Sequence, residues 1–236
     1  MSAVESSPVP SFNERAAQLL ECLDYRRADT AEDKEAIYRL RYEAYLREQT
    51  IVPDHTRRFA DADDDLPNVW IFGLYIEGTL ASSIRLHVAS SLADEMPSTH
   101  VFEDVLRPHL AAGRTLVDPT RFVADYNCAR NHPELPYLTL RLIWLAGEYF
   151  NADLMLAAVR SEHQAFYKRV FGHRPVCEPR VYPQLTKPIS LMTLDYRAQK
   201  ERVHQRYPFL RSTFFERRML FERGPVQQSA AARHAA

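Results

Sequence analysis

The chain is predicted to fold as a mixed α/β domain, with helices on both faces of one central sheet. Three observations predict this. Apolar runs of strand length, such as 69–76 (VWIFGLYI) and 153–159, alternate with segments of helical periodicity. Their order is helix, hairpin, strand, helix, strand, helix, strand, strand. The 236 residues, 46% hydrophobic and 11% aromatic, are enough to bury one large core.

The first helix is placed after Thr30, because Thr30 and Asp33 stand at capping-box spacing, with Asp where Glu or Gln is usual. Ile37, Leu40, Ala44 and Tyr45 then share one face. A hairpin follows: 69–76, the turn pair Glu77-Gly78, and the alternating segment 80–88, which carries Arg85. A strand spans 116–124. A helix starts near Pro136 and is apolar round much of its circumference, so it is buried. The run 153–159 reads as a buried strand, and Ser161 with Gln164 forms a capping box for the short helix QAFYKRVF, stopped at Gly172. Strands over 175–182 and 189–194 complete the sheet. A last amphipathic stretch, 196–221, interleaves Arg and Phe and has no assigned packing. Residues 1–11 and 224–236 read as disordered, leaving one domain over 12–223.

The net charge of -1 argues against a dedicated nucleic-acid binder. Charge is nevertheless uneven: residues 1–110 hold 11 Lys/Arg against 20 Asp/Glu, whereas 160–223 hold 14 against 6. An acidic partner would meet the C-terminal part. Cys22, Cys128 and Cys177 are widely spaced, with no CxxC pair, so neither a disulfide framework nor a zinc site is expected. The start lacks signal-peptide features and no segment has the length of a membrane span, which makes the cytoplasm the expected location. The six glycines form neither GxGxxG nor GxxxxGK[ST], and HExxH and Gly-x-Ser-x-Gly do not occur. Asp61, Asp63 and Asp65 begin like a calcium loop, but Leu66 and Phe72 occupy the positions that need Gly and Glu. No metal or organic cofactor is expected.

The most informative short segment is Asp118-Pro119-Thr120-Arg121, because proline inside a strand-like run marks an edge or a bulge. Bulges interrupt the ladder, free backbone donors and often lie beside active sites. Two readings fit Asp118 and Arg121: charged groups flanking an opening in the sheet, or an ion pair at a strand bend.

Taken together, Arg41, Tyr45, Asp61, Asp64, Arg85, Phe102, Asp118 and Arg121 resemble, in order and spacing, the acyltransferases of the acyl-homoserine-lactone synthase type and, more narrowly, the long-chain N-acyl amino acid synthases. In that group an Arg on the first helix is followed four residues later by an aromatic, and two Asp three apart precede the hairpin. An Arg closes the hairpin's second strand, and a Phe precedes an acid-x-x-Arg strand motif. The helix-Gly ending FYKRVFG adds to the likeness, which spans roughly residues 30–185. It implies a GNAT-like, mostly antiparallel sheet. Two positions depart from the lactone synthases: Ile51 stands where Trp is expected, and the strand acid is Asp118 rather than Glu. Both favour an ordinary amino acid acceptor over S-adenosylmethionine. The segment after the 116–124 strand, ADYNCARNHPELP, lacks the glycine-rich loop that holds the coenzyme A pyrophosphate in common acetyltransferases.

The resemblance implies an N-acyltransferase that moves a long-chain fatty acyl group from an acyl carrier protein to the amino group of an amino acid. Asp118 and Arg121 would be catalytic, Asp118 as the base. Arg41, Tyr45, Asp61, Asp64, Arg85 and Phe102 would bind substrate, although Arg41, Arg85, Asp61 and Asp64 equally form a closed ion network. Arg160, Lys168, Arg169 and Arg174, with Arg180, would meet the acidic carrier. Three alternatives stay open: a lactone-forming synthase using S-adenosylmethionine, an acyltransferase of exosortase systems, and a non-catalytic carrier-binding module.

Overall fold

The computed structural model describes residues 9–183 and 185–223. Most of the N-terminal stretch and all of the tail expected to be disordered lie outside the described residues. The chain opens with α1 (Phe12–Glu21) and the edge strand β1 (Leu23–Arg27), which periodicity does not predict. Ser11 caps α1 in a reciprocal box with Glu14. Next, α2 (Ala31–Arg47) begins at its expected cap, where Thr30 Oγ1 accepts from the Asp33 N–H at 3.1 Å. The hairpin is β2 (Val69–Ile76) and β3 (Thr79–Ala89); Glu77 and Gly78 have φ of 49° and 78°, the pair of positive angles that a two-residue turn of matching twist requires.

Beyond the hairpin come α3 (Pro97–Val101), α4 (Glu103–Ala111), β4 (Leu116–Ala124), α5 (Tyr126–Asn131), α6 (Leu135–Tyr149) and β5 (Leu154–Val159). The last elements are α7 (Gln164–Val170), β6 (Arg174–Pro175), β7 (Ser190–Asp195), α8 (Tyr196–Arg206) and α9 (Phe214–Phe221). Two expectations need correction, and one open question is answered. The Ser161–Gln164 capping box does not form, because a 3-10 turn precedes α7 and Gln164 Nε2 donates instead to Ser190 Oγ at 2.7 Å. The strand over 175–182 shrinks to β6 and one bridge, Arg180 to Ile189, since Pro175 and Pro179 remove ladder donors. The stretch 196–221 divides into α8, a 3-10 turn at Pro208–Leu210 and α9, and it packs on α6, with Phe221 against Trp70 and Phe72.

The sheet order is β1-β2-β3-β4-β5-β7-β6, antiparallel throughout except for the β4–β5 pair. Alternate residues feed two core layers, as period two demands. Val117, Met155 and Ala157 join α6 through Leu138, Leu142 and Trp144, whereas Leu116, Leu154 and Leu156 join α4 through Phe102 and Leu106. The parallel pair is the feature that positions the site. β4 and β5 share only two register pairs, Leu116 with Leu154 and Val117 with Met155, and then diverge.

Candidate active site

Where β4 and β5 part, a cleft of about 580 Å³ runs through the sheet, within the range of small-molecule sites. Pro119 to Ala124 form one wall, Ala157 to Arg160 the other, and Tyr45, Leu140 and Tyr167 close it from the flanking helices. Much of the lining is apolar, as in most small-molecule sites.

The expected bulge is present, two residues beyond the proline. Ser83 pairs with Val123 and Arg85 with Thr120, so Ile84 alone faces both Arg121 and Phe122. Arg121 takes up the extra residue with a φ of 53°, a left-handed conformation that costs a non-glycine residue about 1–2 kcal/mol. The surrounding contacts hold it there. Its Nε and Nη2 both donate to Asp61 Oδ2, at 2.9 and 2.5 Å, and its guanidinium lies 4.7 Å from the centre of the Phe59 ring. Phe59 in turn meets Tyr45 edge to face, with ring centres 4.9 Å apart.

Asp61 also accepts from Arg85, whose Nη1 reaches Asp64 at 3.0 Å and whose Nε reaches Thr120 Oγ1 at 2.9 Å. Asp64 accepts from Arg41 Nη1 at 2.8 and 2.9 Å. The result is a buried chain of ion pairs, Arg41–Asp64–Arg85–Asp61–Arg121. Burial works against ionisation of Asp61, but Arg121 and Arg85 outweigh it and hold its carboxyl below the usual range. Arg41, Arg85, Asp61 and Asp64 thus form the closed network, and none of them lines the cleft. Tyr45 and Arg121 do.

Asp118 stands apart from this network. It is fully buried, its Oδ2 accepts from the Ser98 N–H at 3.3 Å, and its Oδ1 has no hydrogen-bond partner among the described residues. Burial pushes its carboxyl up to about 6, with the Ser98 hydrogen bonds opposing. It does not line the cleft: it directly precedes the wall residue Pro119, pairs in register with the buried His87, and lies close enough to Tyr182 to raise that hydroxyl beyond the effect of burial. Ser98, His87, Tyr182 and Phe59 carry no motif; segments without periodicity bring most of them in, so only the tertiary structure reveals them.

A family model described as the N-acyl amino acid synthase FeeM matches residues 36–195, about two thirds of the chain. The chain belongs to the FeeM family of N-acyl amino acid synthases. It is an N-acyltransferase. The structure of FeeM from uncultured soil microbes superposes with a TM-score of 0.64 at 14% identity, covering 78% of this chain and 97% of that one. The coenzyme A-dependent acyl-homoserine lactone synthase BjaI gives 0.52 at 18% identity, covering 79% and 89%. Escherichia coli ElaA gives 0.52 at 16% identity, covering 73% and 99%. At these identities the likeness is one of fold, which is GNAT-like. No curated protein sequence matches the chain.

The FeeM-family match contains every residue expected to bind substrate or carrier. Phe102 is wholly buried in the α4 core layer under the Arg180 guanidinium, 5.3 Å from its ring centre, and does not line the cleft. Arg180 itself is committed to Asp104 at 2.6 Å. Arg160 lines the cleft mouth, paired with Glu48 at 2.9 Å. Lys168, Arg169 and Arg174 are exposed. Tyr167 and His163 both reach the cleft, whereas Tyr137 does not. Burial raises the Tyr167 hydroxyl and lowers the His163 imidazole, so Tyr167 stays protonated and His163 neutral.

Proposed function

We propose that this FeeM-family protein transfers a long-chain fatty acyl group from an acyl carrier protein thioester to the α-amino group of an amino acid. The observation that carries this reading is the apolar cleft opened by the diverging strands, with strained Arg121 on its wall and the ionisable Asp118 beside it. The acceptor's carboxylate binds Arg121, next to Tyr45, and the ion-pair chain behind it fixes the guanidinium. Asp118 takes a proton from the ammonium, directly or through water. The free amine attacks the thioester carbon, the C–N bond forms and the C–S bond breaks, Tyr167 donates its proton to the departing thiolate, and the second proton of the attacking nitrogen passes to the Tyr167 phenolate as the amide forms. Backbone amides on the stretch of β4 beyond Val117, which has no ladder partner toward β5, meet the oxyanion.

The start of α5 supports a carrier protein over coenzyme A as donor. Asp125 accepts from the N–H groups of Asn127 and Cys128 at 3.0 and 2.9 Å, so a carboxylate occupies the amides that would otherwise cradle a pyrophosphate. The phosphopantetheine arm of a carrier needs no such cradle, and exposed Lys168, Arg169 and Arg174 suit an acidic partner.

Mass spectrometry of products tests the reading. The protein is incubated with long-chain acyl carrier protein or acyl-coenzyme A, a mixture of amino acids, and S-adenosylmethionine in parallel. An N-acyl amino acid formed faster from the carrier is expected. A homoserine lactone would move the assignment to the signal synthases, and carrier binding without any product would leave a binding module.

A further inference from the structure

We propose that α9 is a peripheral membrane contact that seats the protein on an anionic phospholipid surface. Nine large hydrophobic side chains are exposed among the described residues, and three of them, Phe214, Phe215 and Met219, fall within six positions of this one helix, at 64%, 71% and 68% exposure. The C-terminal end of α9 is spent on the core: Leu220 and Phe221 are buried, and Phe221 meets Trp70 and Phe72. Phe214 and Arg218, like Phe215 and Met219, are four apart, so one exposed stripe carries both rings, the thioether and a guanidinium. Arg211, also exposed, precedes it.

Charge selects the occupant. Residues 196–223 hold eight Lys/Arg against three Asp/Glu. Glu216 holds the buried Arg141, and Glu148 and Asp153 from elsewhere in the chain pair with Lys200 and Arg197; Glu222 with Arg218 at 2.7 Å and Glu201 with Arg211 at 3.2 Å form weak, exposed pairs, which a lipid phosphate can replace. An aromatic stripe set among surplus cations matches the interfacial helices that dip apolar side chains below the headgroups while arginines reach the phosphates. The stripe is too small for a second copy of the chain. Two turns of helix fall far short of the roughly 800 Å² per partner that a stable dimer buries. No helix among the described residues is long and apolar enough to cross a membrane, so the contact lies on the surface. The cleft stays free, because α9 packs by β1, β2 and α6, and β3 separates that edge from the β4–β5 opening. The inference is independent of the acyl-transfer reading.

Co-sedimentation of the full chain with vesicles tests it, comparing phosphatidylcholine alone with an equal mixture of phosphatidylcholine and phosphatidylglycerol. Binding is expected to the mixture only, and to weaken with added salt. The triple variant Phe214→Ser, Phe215→Ser, Met219→Ser is expected to lose about tenfold or more of that binding with an unchanged melting temperature. Arg211→Gln with Arg218→Gln is expected to lower both the affinity and its salt dependence. Absence of vesicle binding, or equal binding by a folded triple variant, overturns the proposal. So does a concentration-dependent dimer in analytical ultracentrifugation that the triple variant abolishes, which assigns the stripe to a second copy. Vesicle binding that appears only after removal of residues 224–236 assigns it to that tail and overturns the proposal as well.

Discussion

Arg121 and Asp61, sixty residues apart, are joined by two hydrogen bonds to a single carboxylate oxygen, at 2.9 and 2.5 Å. The other oxygen of Asp61 takes Arg85. One carboxylate therefore ties a strained residue on the cleft wall to the neighbouring strand and to the segment that leads from α2 to the hairpin. The geometry of this cleft wall depends on it.

Asp61→Asn keeps the shape and removes the charge, leaving two buried guanidiniums short of a counter-charge. Loss of one partner from a buried pair costs about 3–5 kcal/mol, and the low end is expected here because Arg85 keeps Asp64. Urea denaturation measures it. A change below about 1 kcal/mol, the scale of an exposed pair, would show that the network is solvated and does not fix Arg121.

Asp118 couples stability to pH with a definite sign. Its carboxyl titrates near 3.8 when unfolded and is raised to about 6 when folded. Its favourable contribution is therefore complete below about 3.8 and lost as pH rises through about 6. Asp118→Asn removes that penalty. The variant is expected to be more stable than the parent at about pH 8, by at most about 3 kcal/mol, with the gain vanishing near pH 4. Thermal melts across this range check it; a variant destabilised at high pH would mean that the charge is compensated in the fold.

The exposed cations of α7 should act on the donor and not on chemistry. Lys168→Glu with Arg169→Glu is expected to raise KM for the acyl carrier protein about tenfold, to flatten its salt dependence and to leave kcat unchanged. Steady-state kinetics at two salt concentrations reads this out. Arg160 is a poorer choice for the test, since it is tied to Glu48 and lines the cleft.

Ala158 sits on the β5 wall among apolar neighbours. Ala158→Phe fills part of the 580 Å³ cleft and is expected to shift the product distribution toward shorter acyl chains, with kcat/KM for the longest falling about tenfold or more. An unchanged chain-length profile would place the acyl group elsewhere.

Local chemistry made much of the fold legible. Thr30 marks the start of α2, Glu77-Gly78 the hairpin turn, and Pro119 a bulge that settles at Arg121. The short strand β1 escaped because five residues with charged alternate positions carry little apolar signal, and the segment 175–182 misled because its prolines suppress pairing. Arg41, Asp61, Asp64 and Arg85 were legible as one ion network, but its extension to Arg121 was not, and Phe102 belongs to the core layer beside it. Arg121 binds Asp61 and not the Asp118 three residues away, a choice made by the bulge, which gives Arg121 a left-handed backbone. Which charges share a partner is a tertiary fact, and so is the isolation of Asp118 beside Ser98 and His87.

The most direct test of the account is the turnover of Asp118→Asn with saturating acyl carrier protein and amino acid at about pH 8, alongside carrier binding to the same variant. Loss of about 10²- to 10⁴-fold in kcat with folding and carrier affinity intact is the predicted result. Turnover equal to that of the parent would contradict the account and remove Asp118 from the chemistry.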